Sequence, residues 1–445
     1  TAKLGAILVP LSHRLAPPEL AALLADTEPT VLVVEEPFAP DLRAALADGG
    51  EFGAMSTLRL PAEAGDGDVD DSSNSGVEWE QYDASTEDAS PVEGVDRALS
   101  DPHLFLHTGG STGLPKQVVQ SYGGILWNAF NTILSWGPRP DDTTPMVFPL
   151  FHTGGWNVLT IPLFQLGGTV IISREVDPGE VLDLVESRDA TVLVAVPAVL
   201  RFMVEHDDWA ETDLSSLRFV KSGGGPCRKA IIDAWTERGI TISQGYGLTE
   251  CGPNNFAMPE GFPREKTGTI GVPGLYVDAR VVDDDGRELP PGEIGELELA
   301  SPHAGDRYWR NEEETAATFG DGWVSTGDLA AVDEDGYVSI EGRKKNMFVS
   351  GGENVFPPEV EDVITDHPGV DEAVVVPIPD EKWGQVGKVV VEGDPDLTLA
   401  DLQDFMDGKI ARYKFPRALE VVAEIPMSGI SKIDRAAVAE QFGEQ

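Results

Sequence analysis

The sequence predicts an α/β protein. It should have a large N-terminal domain of doubly wound parallel sheet with a small antiparallel barrel, then a small α+β C-terminal domain. Three observations carry this. From Gly168, short β-rich runs alternate with amphipathic helical stretches, the rhythm of a parallel sheet with helices on its faces. After about Gly274 the runs are strands joined by turns such as Asp285-Gly286 and Pro291-Gly292, which read as a smaller antiparallel sheet or barrel. Near Arg343 the texture changes again, to helices and valine-rich strands. At 445 residues the chain is too long for one core, so two or three domains are expected.

The elements follow in order. Thr30 to Val34 reads as a buried strand. Residues 63–101 are acidic, Gly- and Ser-rich and poor in apolar groups, so they read as an irregular surface connection. Strands are predicted at Thr169 to Ile172, Thr191 to Val196, Leu217 to Lys221 and Ile240 to Ser243. Helices are predicted at Pro178 to Ser187, Ala198 to Glu205 and Arg228 to Arg238. Asp278 to Val282, Glu296 to Leu299 and Tyr337 to Glu341 are the antiparallel strands. In the last module Pro357 to Asp366 is a helix opened by prolines, which suit a first turn. Val374 to Val376 and Val389 to Val391 are strands, and Thr398 to Tyr413 is a helix with Thr398 as its cap.

Charge narrows the function classes. Asp and Glu total 77 against 32 Lys and Arg, a formal net charge of −45. Self-repulsion of that size suits a salt-rich interior, where screening lengths shrink to a few Å. The excess is spread along the chain, which points to a haloarchaeal type of adaptation rather than an acidic binding tail. Nucleic acid and anionic membrane are poor partners for such a surface. No apolar run reaches spanning length, so no stable membrane insertion is expected. No signal peptide is visible, and two cysteines, Cys227 and Cys251, make no disulfide framework. A cytoplasmic location is expected. A homodimer is left open.

Chemistry concentrates in five segments. His107-Thr108-Gly109-Gly110-Ser111-Thr112-Gly113-Leu114-Pro115-Lys116 packs three glycines, three small hydroxyls and a lysine into ten positions. Glycines let backbone N–H groups turn toward an anion, so the loop suits a polyphosphate. It is not a Walker A motif, which needs Gly and Lys adjacent; a flexible surface loop is the alternative. Gln244 to Glu250 ends a predicted strand, where α/β folds bind ligands. Glu250 could hold Mg²⁺ and Tyr246 could offer a flat face to a base, though a plain turn fits equally. Asp328, in Ser325-Thr326-Gly327-Asp328, could take two ribose hydroxyls or simply cap a turn. Gly342-Arg343-Lys344-Lys345-Asn346 is a basic turn or a hinge that touches phosphate. Ser428 to Asp434 is a small-residue loop with one lysine, Lys432, which by itself would be a surface lysine.

Taken together, these segments resemble the AMP-forming acyl-adenylating superfamily in order and spacing. The resemblance spans essentially the whole chain. Ser350 to Glu361 and Trp383-Gly384 look like its acyl-CoA synthetase branch. The resemblance implies a large domain, residues 1–342, and a small mobile C-terminal domain, residues 343–445. It implies an ATP-dependent reaction in which a carboxylic acid, fatty or aromatic, becomes an acyl-AMP and passes to CoA. ATP, the acid and CoA are the implied partners, with Mg²⁺. Loading of a carrier protein and an inactive nucleotide-binding homologue are the alternatives.

The same resemblance assigns roles. Thr108, Gly109, Gly110, Ser111, Thr112, Gly113 and Lys116 cradle the β,γ-phosphates. Glu250 is the Mg²⁺-linked acid and Thr249 contacts the α-phosphate. Gly223, Gly224, Gly225, Tyr246 and Gly247 form the adenine slot, and Asp328 holds the ribose with Arg343 beside it. Lys432 bridges carboxylate and α-phosphate, and Lys345 sits at the hinge. Gly351 and Gly352 reach the CoA thiol after a domain rotation. His152 and Trp156 line the acyl tunnel; for His152 a structural, hydrogen-bonded role is the alternative. Gly109, Asn346 and Ser431 depart from the usual serine, aspartate and glycine, and none removes a charge at the reaction centre. The family also carries a stretch ahead of Ala6 to Pro10, so an N-terminally short chain is expected.

Overall fold

The computed structural model describes residues 1–48, 55–60, 80–81, 90, 93–108, 115–428 and 432–443. The chain divides into two compact units. One comprises Thr1–Gly123, Leu150–His152 and Gly305–Thr315; the other comprises Gly124–Pro149, Thr153–Ala304 and Ala316–Gln445.

The first unit holds two small sheets. Val31–Glu35, Ser56–Leu60 and Glu80–Gln81 pair in parallel. The first of these strands is buried on one face only. Leu32 and Val34 pack with Leu24, Ala39 and Leu42 of the helices Pro17–Thr27 and Ala39–Asp48, whereas Val31 and Val33 are exposed. This corrects the expectation of a fully buried strand: a period-two backbone points alternate side chains to opposite faces, and the helices cover one. The other sheet is the hairpin of Pro102–Thr108 and Lys116–Ser121, joined by Arg307–Tyr308. Leu104, Phe105, Leu106, Val118 and Val119 are all buried, so both faces of this hairpin are covered.

The second unit carries the alternating pattern. Val192–Ala195, Phe219–Ser222 and Ile242–Gln244 pair in parallel, in the order written. Thr143–Met146 and Thr169–Ile172 form a second parallel pair. Helices Pro178–Ser187, Pro197–Glu205 and Lys229–Glu237 supply Val181, Leu182, Val185, Val199, Leu200, Met203 and Trp235 to the core cluster on these strands. Two of these helices start where sequence chemistry favours it. Pro178 follows the Asp177 cap, which accepts from Glu180 N, and Pro197 occupies a first turn.

Downstream, Asp278–Val282, Gly295–Ala300, Trp323–Val332, Phe319–Gly320 and Val338–Arg343 form a five-stranded antiparallel sheet. The last module pairs Phe348–Ser350, Glu353–Val355, Val370–Asp380, Gly384–Gly393 and Ala418–Val422, with helices Pro357–Thr365, Leu399–Met406 and Arg435–Phe442 beside them. Thr398 caps its helix as expected. That helix ends at Met406, well short of Tyr413. Gly408 follows at φ 78°, a left-handed turn that breaks a helix, and a separate 3₁₀ turn covers Arg412–Lys414. Among the described residues, no helix is long and apolar enough to cross a membrane.

Candidate functional site

The most completely assembled group lies at the edge of the antiparallel sheet. Asp328 on Trp323–Val332 and Arg343 on Val338–Arg343 are direct register partners. Arg343 Nε stands 2.6 Å from Asp328 Oδ1, and the Tyr246 hydroxyl donates to Asp328 Oδ2 at 2.5 Å. Thr326 fixes this irregular stretch of the strand. Its hydroxyl donates to Leu297 O at 2.7 Å and accepts from Asp328 N at 3.1 Å, while Arg343 donates to Thr326 O at 3.2 Å. Asp328 is only 5 % exposed. Burial, then the adjacent carboxylate, pushes the Tyr246 phenol well above its ordinary value, so it stays a donor. The result is a buried acceptor group fixed between a cation and an aromatic ring.

The strand ends supply the glycine loops. Phe219–Ser222 runs into Gly223, Gly224 and Gly225, and Ile242–Gln244 runs into Gly245 and Tyr246. Gly245 N donates to Ser222 O at 2.7 Å, tying the two loops together. A Cβ placed on Gly223 or Gly225 would meet nothing within 4 Å, so open space lies over this loop. Gly247 has a different reason. A Cβ there would fall 2.3 Å from the Pro253 carbonyl, because Leu248 N to Gly252 O and Asn255 N to Tyr246 O fold the segment back on itself. Thr249 is buried and Glu250 half-buried in that turn. The helix Tyr122–Trp136 holds the turn from behind. Asn131 donates to Asn254 O and Asn254 donates to Thr132 Oγ1, both at 2.7 Å. These buried amide bonds tie the loop to the helix.

Cys227 and Cys251 are buried. Burial pushes their thiols up to about 11 and about 12, so they remain protonated and unreactive.

In the first unit, Thr108 and Lys116 face each other as the last register pair of the hairpin. The glycine-rich connection springs from these two positions. Gly109, Gly110, Ser111, Thr112 and Gly113 lie outside the described residues. Lys116 Nζ is held 2.5 Å from Glu314 Oε2 and lies 5.0 Å from the Tyr308 ring. Glu314 is a partner that sequence reasoning missed. It stands 198 residues away, and nothing local marks it among the consecutive glutamates 312–314.

The other predicted site residues are placed as follows. Lys432 begins Lys432–Ile433, which pairs antiparallel with Met427–Ser428 across the 429–431 connection. Lys345 is exposed in the 3₁₀ turn Lys344–Asn346. Its neighbour Lys344 bridges Asp284 and Glu296 at 2.9 and 3.1 Å. Gly351 and Gly352 are exposed with φ of 62° and 93°, and Gly351 N donates to Trp383 O at 2.9 Å. His152 is exposed in the first unit. Trp156 is half-buried within the π-helical turn Gly154–Val158 of the second; single π turns are frequent at functional sites. Among the described residues no group of three or more His, Cys, Asp or Glu could hold a metal.

The model described as AMP-binding enzyme matches residues 1–309, and the one described as AMP-binding enzyme C-terminal domain matches residues 359–432. The chain belongs to the AMP-binding enzyme family. It is 36 % identical over 441 residues to a feruloyl-CoA synthase from Amycolatopsis sp., covering 99 % of this chain and 84 % of that one. It is 34 % identical over 439 residues to an indoleacetate–CoA ligase of Aromatoleum aromaticum, covering 97 % and 82 %. Among solved structures it resembles ATP-bound MatB from Rhodopseudomonas palustris, with a TM-score of 0.86, 28 % identity, and coverage of 98 % and 84 %. It also resembles the anthranilate CoA ligase AuaEII bound to anthranoyl-AMP, with 0.87, 27 %, and coverage of 99 % and 83 %. Membership in this family and these relatives support an ATP-dependent acid–CoA ligase.

Proposed function

We propose that this protein activates a fatty or aromatic carboxylic acid with MgATP as an acyl-AMP and transfers the acyl group to CoA. The observation that carries the reading is the Asp328–Tyr246–Arg343 group in a chain of this family. A carboxylate accepts at about four positions, which is what two adjacent ribose hydroxyls require alongside Arg343 and Tyr246. The Tyr246 ring and the open space over Gly223 and Gly225 suit a flat base.

In the first step a carboxylate oxygen attacks the α-phosphorus. The bond from that phosphorus to the bridging oxygen breaks and pyrophosphate leaves. Two unit charges about 4 Å apart repel by about 4 kcal/mol at an effective dielectric of 20, so cations must offset the approach. We assign this to Lys432 at the α-phosphate and carboxylate, and to Lys116 with residues 108–113 at the β,γ-phosphates. Thr249 contacts the α-phosphate, and Glu250 would hold Mg²⁺, which neutralises phosphate charge when bound. Lys116 must exchange Glu314 for phosphate. In the second step the CoA thiolate sulfur attacks the acyl carbon, the acyl–oxygen bond to phosphate breaks, and AMP leaves. We place the domain boundary at 342/343, with Lys345 as hinge, and give Gly351 and Gly352 to the thiol step. His152 and Trp156 line the acyl path. The charge of −45 fits work in a salt-rich cytoplasm.

The test is release of AMP and pyrophosphate from MgATP in molar KCl across a panel of acids, with and without CoA. AMP formation that needs both one class of acid and CoA is expected. Acid-dependent AMP release indifferent to CoA would replace CoA with a carrier protein. No AMP with any acid would overturn the reading.

A further inference from the structure

The turn that carries Thr249 and Glu250 is closed by one fully buried residue, Asn255. Its backbone N donates to Tyr246 O at 3.0 Å, ahead of the turn. Its Nδ2 donates to Gly252 O at 2.6 Å and to Cys251 Sγ at 3.3 Å, behind it. Gly252 O also accepts from Leu248 N at 3.2 Å. Both ends of the segment 246–252 therefore converge on Asn255. The side-chain amide can face only one way. Reversed, its oxygen would oppose the Gly252 carbonyl, acceptor against acceptor. Oδ1 is left facing His303 Nε2, 3.0 Å away, so that nitrogen carries a proton and donates it.

His303 comes from a distant segment, the Ser301–Ala304 turn that follows the strand Gly295–Ala300. It is buried, and burial pulls it down to about 4, so the ring is neutral near pH 7. The ring packs directly on the turn. Gly252 has φ 79°, and a Cβ there would fall 2.6 Å from His303 Cδ2. His303 Nδ1 is buried and has no hydrogen-bond partner among the described residues. An apolar side chain would fill this place without burying an unpaired acceptor, which costs stability. What histidine adds is the single N–H given to Asn255.

We propose that His303 is a positioning residue for adenylation: through Asn255 it holds the turn that places Thr249 and Glu250 at the nucleotide phosphates. This rests on the ligase reading above and on the roles given there to Thr249 and Glu250. The His303 donor orients the Asn255 amide, and the amide holds the Gly252 carbonyl at the far end of the turn. Without the donor that end loosens, and a misplacement of about 1 Å costs about 10²-fold in rate. Tyr246 is held differently. Its carbonyl is bound by Asn255 N, a backbone bond that a change at position 303 leaves in place. The nucleoside side of the site is therefore independent of His303.

The test uses His303→Phe, which keeps a ring over Gly252 and removes the donor, and His303→Gln, whose amide N–H can replace it. Each protein is titrated calorimetrically with AMP and with adenosine, and assayed for AMP release across the panel of acids. Wild type is expected to bind AMP more tightly than adenosine. His303→Phe should lose about tenfold of that advantage, with its affinity for adenosine unchanged, and its kcat should fall by about 10–10²-fold. His303→Gln should recover most of both losses. A lowered melting temperature with the AMP-to-adenosine ratio of wild type is what a purely structural role predicts, and it overturns the proposal. So does a His303→Gln protein no better than His303→Phe, or a wild type that binds AMP no better than adenosine. If no acid yields AMP, the ligase reading fails by itself, and the AMP-to-adenosine ratio still decides the role of His303. Should His303→Phe not fold, His303→Leu replaces it.

Discussion

Asp328 and Lys221 are both buried charges in the same unit, both at 5 % exposure, yet they are kept in opposite ways. Asp328 has a guanidinium on one oxygen and a phenol on the other. Lys221 has a single hydroxyl and two aromatic rings. The first arrangement is complete and rigid before any ligand arrives, as a site for neutral hydroxyls should be. The second is electrostatically unfinished, a cation held by one hydroxyl and two ring faces. A buried charge is therefore either neutralised by a partner of opposite sign or carried at a cost in stability.

Four substitutions bear on this contrast, from the largest effect down. Asp328→Ala leaves Arg343 without its partner and removes the acceptor for ribose. We expect kcat/KM for ATP to fall by about 10²–10⁴-fold, the worth of two hydrogen bonds to a charged group. A loss under tenfold in steady-state assays would break the assignment.

Lys221→Met should act on stability in the reverse sense, by relieving an uncompensated charge. The folded value of about 8 lies below the ordinary 10.5. Between those values the unfolded chain holds the proton and the folded chain does not. Wild-type stability, measured relative to Lys221→Met, should therefore climb as pH rises from about 8 to about 10.5. Below pH 8 the full cost is present, about 3 kcal/mol at 1.36 kcal/mol per pH unit. Thermal melts of the two proteins across this range give the difference directly. A pH-independent gap would mean that the lysine is compensated after all.

Tyr246→Phe removes one donor to Asp328 but keeps the ring. About 1 kcal/mol is expected, read as a rise of several-fold in KM for ATP with kcat nearly unchanged. A collapse of kcat would give Tyr246 a role in the chemistry. Glu314→Gln releases Lys116 from a partly exposed pair, which is worth less than about 1 kcal/mol. The expectation is a slightly lower KM for ATP and an unaltered melting temperature.

The sequence exposed Asp328 because a lone acid follows the strand-like Trp323-Val324 inside a small-residue turn. It exposed the glycine loops for the same reason: Gly223–Gly225 and Gly245 punctuate β-rich runs. Lys221 was not legible. Between Phe219-Val220 and Ser222 it reads as the last residue of a strand. Its isolation appears only when register sets Ser243 beside it and the distant Trp136 packs over it. Glu314 was hidden likewise, since its partner is 198 residues away. The helix predicted from Thr398 to Tyr413 overran because apolar periodicity continues past Met406, while Gly408 at φ 78° stops the backbone.

The measurement that tests the account most directly is exchange of labelled pyrophosphate into ATP without CoA. The account predicts exchange that requires the acid and is abolished in Lys432→Ala, because reversal of acyl-AMP formation needs both. Exchange that proceeds without acid, or that survives Lys432→Ala undiminished, would contradict it.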